Sequence, residues 1–372
     1  WHMARVYLGK QGGHPLLLAK GGSRRRLRSE AGQDQFLDRQ RDSVPVASRR
    51  HFVGRRREMQ KVLGAFLDGR PVLVHGMGHL GKSSLAARIA HDRLPQLRCV
   101  VVVGRYDALE VWDRLLDACP AGQRDEYQER WRARIGADRP GAFVSALEDL
   151  LARAPADAPV LLVIDDLERI LEAPQPGQTS VPVRAERRGM LGAVLTAFGR
   201  QDRCKLLLTS RYTFTLPGQR SGKDLAARVV CVPLHAMDEV ERQKQQRAVL
   251  RGLSELEQDR IDQELLQTAR QLAAGNPGLQ ALLSKPVLAG EADAAQRASA
   301  VIEHYLRHGV PPDEIRRELS AGRAADAQDA LPAFFQRMDF DTYRNALGSR
   351  QLRTLQAGCL FASGLPLPLP AL

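Results

Sequence analysis

Cysteine is scarce and unpatterned in this chain. Its five cysteines, Cys99, Cys119, Cys204, Cys231 and Cys359, are odd in number and form no Cys-x-x-Cys pair. That excludes a disulfide framework and a cysteine-held zinc, and it fits free thiols in a reducing cytosol. Cys99, Cys204 and Cys231 lie in or beside apolar strand-like runs and read as core thiols. The histidines, among them His14, His75, His79 and His91, fall at no metal-ligand spacing, so no structural metal is expected. No apolar run approaches the ~20 residues needed to span a bilayer. The N-terminus lacks the long apolar core of a signal peptide. A cytoplasmic protein with no membrane association is therefore expected. Internal repeats are absent.

What is present describes a globular protein. The chain has 372 residues, 44% hydrophobic and 26% charged, room for about two or three domains. The net charge of +12 is uneven: residues 1–58 hold 14 Lys/Arg against 5 Asp/Glu, a net of +9. The excess centres on Arg24-Arg25-Arg26-Leu27-Arg28 and Arg55-Arg56-Arg57. A nucleic-acid patch is one reading of that segment. With no aromatic interleaving, zinc spacing or recognition helix, a solvated basic linker is the reading favoured.

Residues 76–83 read Gly-Met-Gly-His-Leu-Gly-Lys-Ser, a full G-x-x-x-x-G-K-[ST] phosphate loop. The apolar run Val72-Leu73-Val74 before it reads as a buried strand, and Ser84–Ala90 after it as a helix. Gly76, Gly78 and Gly81 would let the backbone curl so that successive N–H groups face an anion. The new helix adds the positive end of its dipole. Lys82 would reach the β- and γ-phosphates and the Ser83 hydroxyl would bind Mg2+. Gly76, Met77, Gly78, His79, Leu80, Gly81, Lys82, Ser83 and Ser84 are thus the expected nucleotide-binding residues. His79 stands at a variable position of the loop and carries no assigned chemistry.

Residues 160–166 read Val-Leu-Leu-Val-Ile-Asp-Asp. Five apolar residues in a row suit a strand buried on both faces of a parallel sheet, and ligands of open α/β sheets bind at the strands' C-terminal ends. Asp165 would hold Mg2+ through water, and Asp166 would act as general base on the attacking water. Glu168 is a weaker candidate for that base. Alone, the pattern also suits a strand ending in a solvated acidic turn.

Strands are expected at Val72–His75, Cys99–Val103, Val160–Ile164, Lys205–Thr209 and Arg228–Val232, separated by helical patterns such as Ala108–Ala118, Phe143–Ala152 and Arg188–Phe198. That alternation implies an α/β fold with a doubly wound parallel sheet. From Asp238 on the pattern turns helical, over Val240–Leu253, Asp259–Ala273, Leu279–Leu288 and Ala294–Leu306, as in a lid over the nucleotide. Val310-Pro311-Pro312 breaks it, and two or three further helices follow. Four regions result: a basic tail and linker over 1–50, a nucleotide-binding domain over 51–236, a helical lid over 237–310, and a helical segment over 311–372. Trp1–Leu8 and Leu16–Leu18 read as the tail of something upstream, and Leu365–Pro370 as an end that looks cut. Tyr127 and Trp131 read as a helix core stripe.

The motifs come in a recognisable order. Phe52-Val53-Gly54-Arg55 precedes a helical segment over Glu58–Leu67. The phosphate loop, Asp165-Asp166, Leu208-Thr209-Ser210-Arg211 and Gly275-Asn276-Pro277-Gly278-Leu279 follow. Over residues 51–372 this resembles the STAND NTPases, the signal-transduction ATPases that include the NB-ARC proteins, within the AAA-like (ASCE) group of P-loop proteins. The resemblance implies that Phe52, Val53, Gly54 and Arg55 lie against adenine and ribose. It implies that Arg211 senses the γ-phosphate, as a guanidinium can do bidentately, and that Pro277 packs on the adenine side. Plain alternatives stand beside these: core for Phe52, surface for Arg211, and a helix stop and restart for Gly275-Asn276-Pro277. Residues 348–372 look like the start of a winged-helix domain, and Trp1–Leu8 resembles the end of a CHAT-type domain.

The function implied is a switch driven by ATP, ADP and Mg2+. Hydrolysis is slow, the output is self-association, and effector and sensor domains flank the chain. A DNA-acting AAA-type ATPase is the alternative. A small-molecule P-loop kinase fits less well, because Asp166 and Arg211 suit water as the acceptor. A degenerate site that holds nucleotide only as a structural ligand is a further reading, which the two intact site motifs disfavour.

Overall fold

The computed structural model describes residues 35–303, apart from residues 140, 155–158, 175–177, 179, 219–223, 255–257, 289, 291–294, 297–298 and 301–302. The chain divides into two units, Trp1–Gln33 and Asp34–Leu372. The first lies wholly outside the described residues, so every element named here belongs to the second. The CHAT-like segment Trp1–Leu8, the winged-helix start over 348–372, the helices expected beyond 311 and most of Ala294–Leu306 also lie outside them.

The described chain opens with an antiparallel hairpin of β1 (Gln35–Asp38) and β2 (Ser43–Val46). A five-stranded parallel sheet forms the centre. Its strands are β3 (Val72–His75), β4 (Arg98–Val102), β5 (Val160–Ile164), β7 (Lys205–Ser210) and β9 (Val230–Pro233). They lie in the order β4-β5-β7-β3-β9. Val72 registers with Leu207 and Val230, and Leu161 with Lys205 and Cys99. Side chains alternate across the strands, so each strand feeds two cores. Leu73, Val100, Leu162 and Leu208 pack on one face, and Val72, Val101, Val163 and Leu207 on the other. β5 is buried at every position, as its unbroken apolar run requires.

Helices cover both faces, which makes the sheet doubly wound. The helices among the described residues are α1 (Arg56–Leu67), α2 (Lys82–Arg88), α3 (Ala108–Asp117), α4 (Ala121–Tyr127), α5 (Ala133–Gly136), α6 (Ala142–Ala152), α7 (Ala185–Phe198), α8 (Glu239–Leu250), α9 (Gln263–Leu272) and α10 (Pro277–Leu288), of which α8 to α10 stand apart from the sheet around a small cluster of Ile261, Leu266 and Val287. The side chain of Asp107 accepts from the Glu110 N–H at 2.8 Å to start α3, and Asp238 accepts from Glu241 N–H at 2.7 Å to start α8. Both are N-caps that satisfy an otherwise orphaned donor. Tyr127 and Trp131 are buried in the core, as their spacing suggests, and Trp131 donates to Asp149 at 3.0 Å. A short parallel pair, β6 (Ser180–Pro182) with β8 (Thr213–Thr215), stands beside the main sheet.

Two readings of the sequence need correction. Residues 21–50, read as linker, contain the β1–β2 hairpin. Leu37 is fully buried in the second core, Asp38 meets Arg114 at 3.5 Å, and His91 bonds the Leu37 carbonyl at 3.0 Å. Polar composition hid these strands, of which Leu37 is the fully buried apolar residue while Val44 and Val46 pack at the edge of the same core. Cys231, read as core, is exposed. Its strand β9 is an edge, and neighbouring Val232 faces the interior. Cys204 is buried as expected. Burial pushes the Cys99 thiol up to about 12. Among the described residues no helix is long and apolar enough to cross a membrane.

Candidate functional site: a cleft between sheet and helical lid

The phosphate loop leaves the C-terminal end of β3. Its start is pinned on both sides, because Gly76 N–H donates to Ser210 O at 3.2 Å and Leu234 N–H donates to His75 O at 2.7 Å. Left-handed backbone occurs at Gly76 (φ 151°), His79 (φ 60°) and Gly81 (φ 89°). Gly78 is not among these positions, so the expectation that it supplies the curl is corrected: His79 does so instead. A side chain tolerates that conformation less readily than glycine. At Gly76 a Cβ would stand 2.4 Å from the Leu234 carbonyl oxygen, so close approach of backbone requires glycine there.

The Lys82 ammonium donates to the carbonyls of Gly76 and Met77, both at 2.9 Å. Burial lowers its pKa, opposed by the carboxylate of Glu168. The Ser83 hydroxyl donates to Asp165 at 2.9–3.0 Å, and Thr209 at the end of β7 donates to the same carboxylate at 2.6 Å. Asp165 is 1% exposed, and its pKa is pushed up to about 6 by burial and then by neighbouring Asp166. Tyr106 donates to the Asp165 carbonyl at 2.7 Å and fixes the backbone there. β7 lies between β3 and β5 in the sheet, which is how Thr209 comes to stand between the loop and the acid-tipped strand.

Asp166 takes left-handed backbone (φ 56°), and its N–H donates to Thr209 Oγ1 at 3.1 Å. Its side chain is 38% exposed and stands 3.9 Å from Arg169. Glu168, two residues on, is the more enclosed acid. Its carboxylate meets the Arg211 guanidinium at 3.0 Å and accepts from the Arg211 N–H at 3.2 Å. Burial and Asp166 raise its pKa. Hydroxyl and carboxylate oxygens at Ser83 and Asp165 are hard donors, the set that suits Mg2+. Among the described residues no group of three or more His, Cys, Asp or Glu is placed to hold a metal by itself. An ion here would need oxygens brought by its ligand.

A cavity of about 790 Å3 opens over this array. Gly78, His79, Leu80, Gly81, Lys82, Ser83 and Ser84 line it on the loop side, with Asp166, Glu168 and Arg211 beside them. Phe52, Val53 and Arg55 line it from the segment before α1, and Pro277 from the lid. Four expected site residues do not line it: Gly54, Gly76, Met77 and Asp165. Asp165 sits behind Ser83. Gly54 (φ +75°) packs against Glu241, where a Cβ would stand 2.0 Å from the carboxylate. Arg55 is buried, and its guanidinium donates to His235 O at 2.6 Å and Leu80 O at 3.2 Å. It ties the loop to the start of the lid.

The lid is bonded directly to the phosphate loop. Asn276 Nδ2 donates to Gly78 O at 3.1 Å, and Gly278 N–H donates to His79 O at 3.2 Å. Asn276 Oδ1 also accepts from the N–H groups of Gly278 and Leu279, each at 3.1 Å. Asn276 is therefore the N-cap of α10 with Pro277 in its first turn, so the helix-restart reading holds. Asn276 and Gly278 also reach the loop through these two bonds. Sequence reasoning assigned no role to Thr209, Tyr106 or Asn276, and it missed Pro45 and Ala47 of the hairpin's exit, which line the cavity too. A threonine ending an otherwise apolar strand was the available signal for Thr209. Ala47 N–H donates to Ser84 Oγ at 3.0 Å, a contact no local pattern announces.

Residues 51–176, about a third of the chain, match the family model of the AAA ATPase domain. No curated protein matches the chain at a significant level. Solved structures similar to it include a Walker-type ATPase of Pyrococcus abyssi, 15% identical, covering 85% of this chain and 91% of that one, TM-score 0.45. The Orc1 protein of Aeropyrum pernix in complex with DNA is 14% identical over 83% of this chain and 82% of its own, TM-score 0.39. Domain III of the replication initiation protein DnaA of Thermotoga maritima is 14% identical over 80% of this chain and 100% of its own, TM-score 0.34. What the family model supports is a likeness of residues 51–176 to an AAA ATPase domain.

Proposed function

We propose that the cleft binds ATP or ADP with Mg2+ between sheet and lid, and that the bound nucleotide sets the lid's position as a signalling switch of the STAND type. The observation that carries this reading is the pair of bonds from Asn276 and Gly278 to the loop carbonyls of Gly78 and His79. Any ligand that reshapes the loop alters these two bonds. A nucleotide can bias the switch only by its difference in affinity for the two lid positions.

In this reading Lys82 leaves the carbonyls of Gly76 and Met77 for the β- and γ-phosphates. Phe52, Val53 and Pro277 enclose the base. Ser83, and Asp165 through water, would hold Mg2+, which would supply charge neutralisation at the phosphates. Asp166 orients and deprotonates the attacking water. Glu168 holds Arg211 until a γ-phosphate competes for the guanidinium. Hydrolysis is slow and resets the switch. Self-association follows ATP binding, and the protein works in the cytoplasm beside flanking effector and sensor domains.

Action on DNA is the second reading, favoured by the net +9 of residues 1–58. Against it, Arg41 and Arg49 are paired with Asp117 and Asp92, and Arg55 is buried on main-chain carbonyls. The test measures ATP turnover and molecular mass by light scattering, with ADP or a non-hydrolysable ATP analogue, with and without duplex DNA. The switch predicts a mass or shape change between the two nucleotides. An unchanged particle, with turnover stimulated by DNA, would transfer the assignment to the second reading.

A further inference from the structure

We infer that Gln245 reads the base, selecting a purine with an amino group at C6 over one with a carbonyl there. This rests on the proposed nucleotide site and names the residue that would tell adenine from hypoxanthine or guanine.

Gln245 lies on α8 and lines the cleft. Its Nε2 donates to the Pro277 carbonyl at 3.1 Å. A main-chain carbonyl can only accept, so this bond fixes which end of the amide is nitrogen. Oε1 is then the remaining end, and it is buried with no hydrogen-bond partner. Buried acceptors are seldom left unmet, and an unmet one in a ligand cleft marks a place for a donor.

The surroundings suit a base. On the walls formed by the hairpin exit and the lid, the cleft presents Phe52, Val53, Met237, Val249, Pro277 and Ala281. His51 is a further polar side chain there, and its Nδ1 is already paired with Ser48 Oγ at 3.1 Å. An apolar slot with a few placed polar groups is the usual form of a base site. Val249 and Ala281 border both the cleft and a smaller cavity of about 230 Å3 that Gln245 also lines. The amide therefore has room to tilt toward a ligand.

The selection follows from donors and acceptors. Adenine offers an N–H at C6 to Oε1, whereas hypoxanthine and guanine offer an oxygen. Two acceptors then face each other. The glutamine cannot turn its amide over to meet an oxo-purine without breaking its bond to Pro277. Discrimination arises as much from this repulsion as from the hydrogen bond that adenine makes.

The experiment compares ADP with IDP, which share sugar and phosphates, by calorimetry on the full chain with Mg2+. The wild type is expected to bind ADP about tenfold tighter, the worth of one such bond. Gln245→Leu should reduce that ratio to about threefold or less while still binding ADP. A wild-type ratio near one or an unchanged ratio in Gln245→Leu overturns the inference. Equal weakening of both nucleotides would mean that Gln245 only packs the lid. Absence of binding by both nucleotides to folded wild type would instead defeat the nucleotide reading itself, and this inference with it.

Discussion

Asp165→Asn should stabilise the nucleotide-free protein, although Asp165 is assigned to the metal. Its carboxyl is almost fully buried and titrates at about 6, raised from the ordinary 3.8. Each pKa unit is worth ~1.4 kcal/mol, so the ionised group costs the fold about 3 kcal/mol at pH 8. The sign follows from the direction of the shift. A carboxylate whose folded pKa is raised penalises the fold fully above the folded value, and the penalty fades as pH falls through 6 toward 3.8. By pH 4.5 about 1 kcal/mol remains, so some 2 kcal/mol of the difference between variant and wild type should disappear between pH 8 and pH 4.5. The asparagine carbonyl can still accept from Ser83 and Thr209, whose hydroxyls lie 2.6–3.0 Å from the carboxylate. Its new amide N–H groups lack an evident acceptor, which returns about 1 kcal/mol and leaves a net gain near 2 kcal/mol at pH 8. Urea denaturation followed by circular dichroism, in EDTA at the two pH values, measures this. With Mg2+ and ADP the order should reverse, because ligand stabilises only the form that binds it. A stability difference that does not change with pH would refute the reasoning about the buried charge.

The remaining expectations are more direct. Lys82→Ala should abolish measurable ATP binding in calorimetry, with circular dichroism showing that the free variant is folded. Asp166→Asn should retain ATP binding and cut turnover at least a hundredfold, the usual worth of a general base; if Glu168→Gln does this and Asp166→Asn does not, the base is Glu168. Asn276→Ala removes the cap of α10 and the bond to Gly78, and should cost about 1 kcal/mol in denaturation and abolish any nucleotide-dependent change in particle shape. Leu37→Ala should cost about 2–5 kcal/mol if the hairpin is part of the core, whereas a substitution in a solvated linker would cost almost nothing.

The sheet was readable because its strands are continuous apolar runs, and burial on both faces demands such runs. Val72–His75 and Val160–Ile164 coincide with β3 and β5 to the residue. The phosphate loop was readable because backbone curl, anion charge and helix start all constrain residue type at fixed spacing. The hairpin over Gln35–Val46 was not, since its docking depends on distant partners: Leu37 on the second core, Arg114 on Asp38, Ser84 on Ala47. The enclosure of Glu168 was equally hidden, because it depends on Arg211, 43 positions along the chain. Gln245 could not be singled out from a polar helix rich in glutamine. Its distinction lies in one bond to Pro277 and one unmet oxygen, and both are tertiary facts.

The most direct test is calorimetric titration of ADP with Mg2+ into the folded wild-type chain and into Lys82→Ala. The account predicts saturable one-to-one binding by the wild type and none by the variant. No binding by either protein, or equal binding by both, would contradict the claim that the glycine loop and the lid enclose a magnesium-bearing adenine nucleotide.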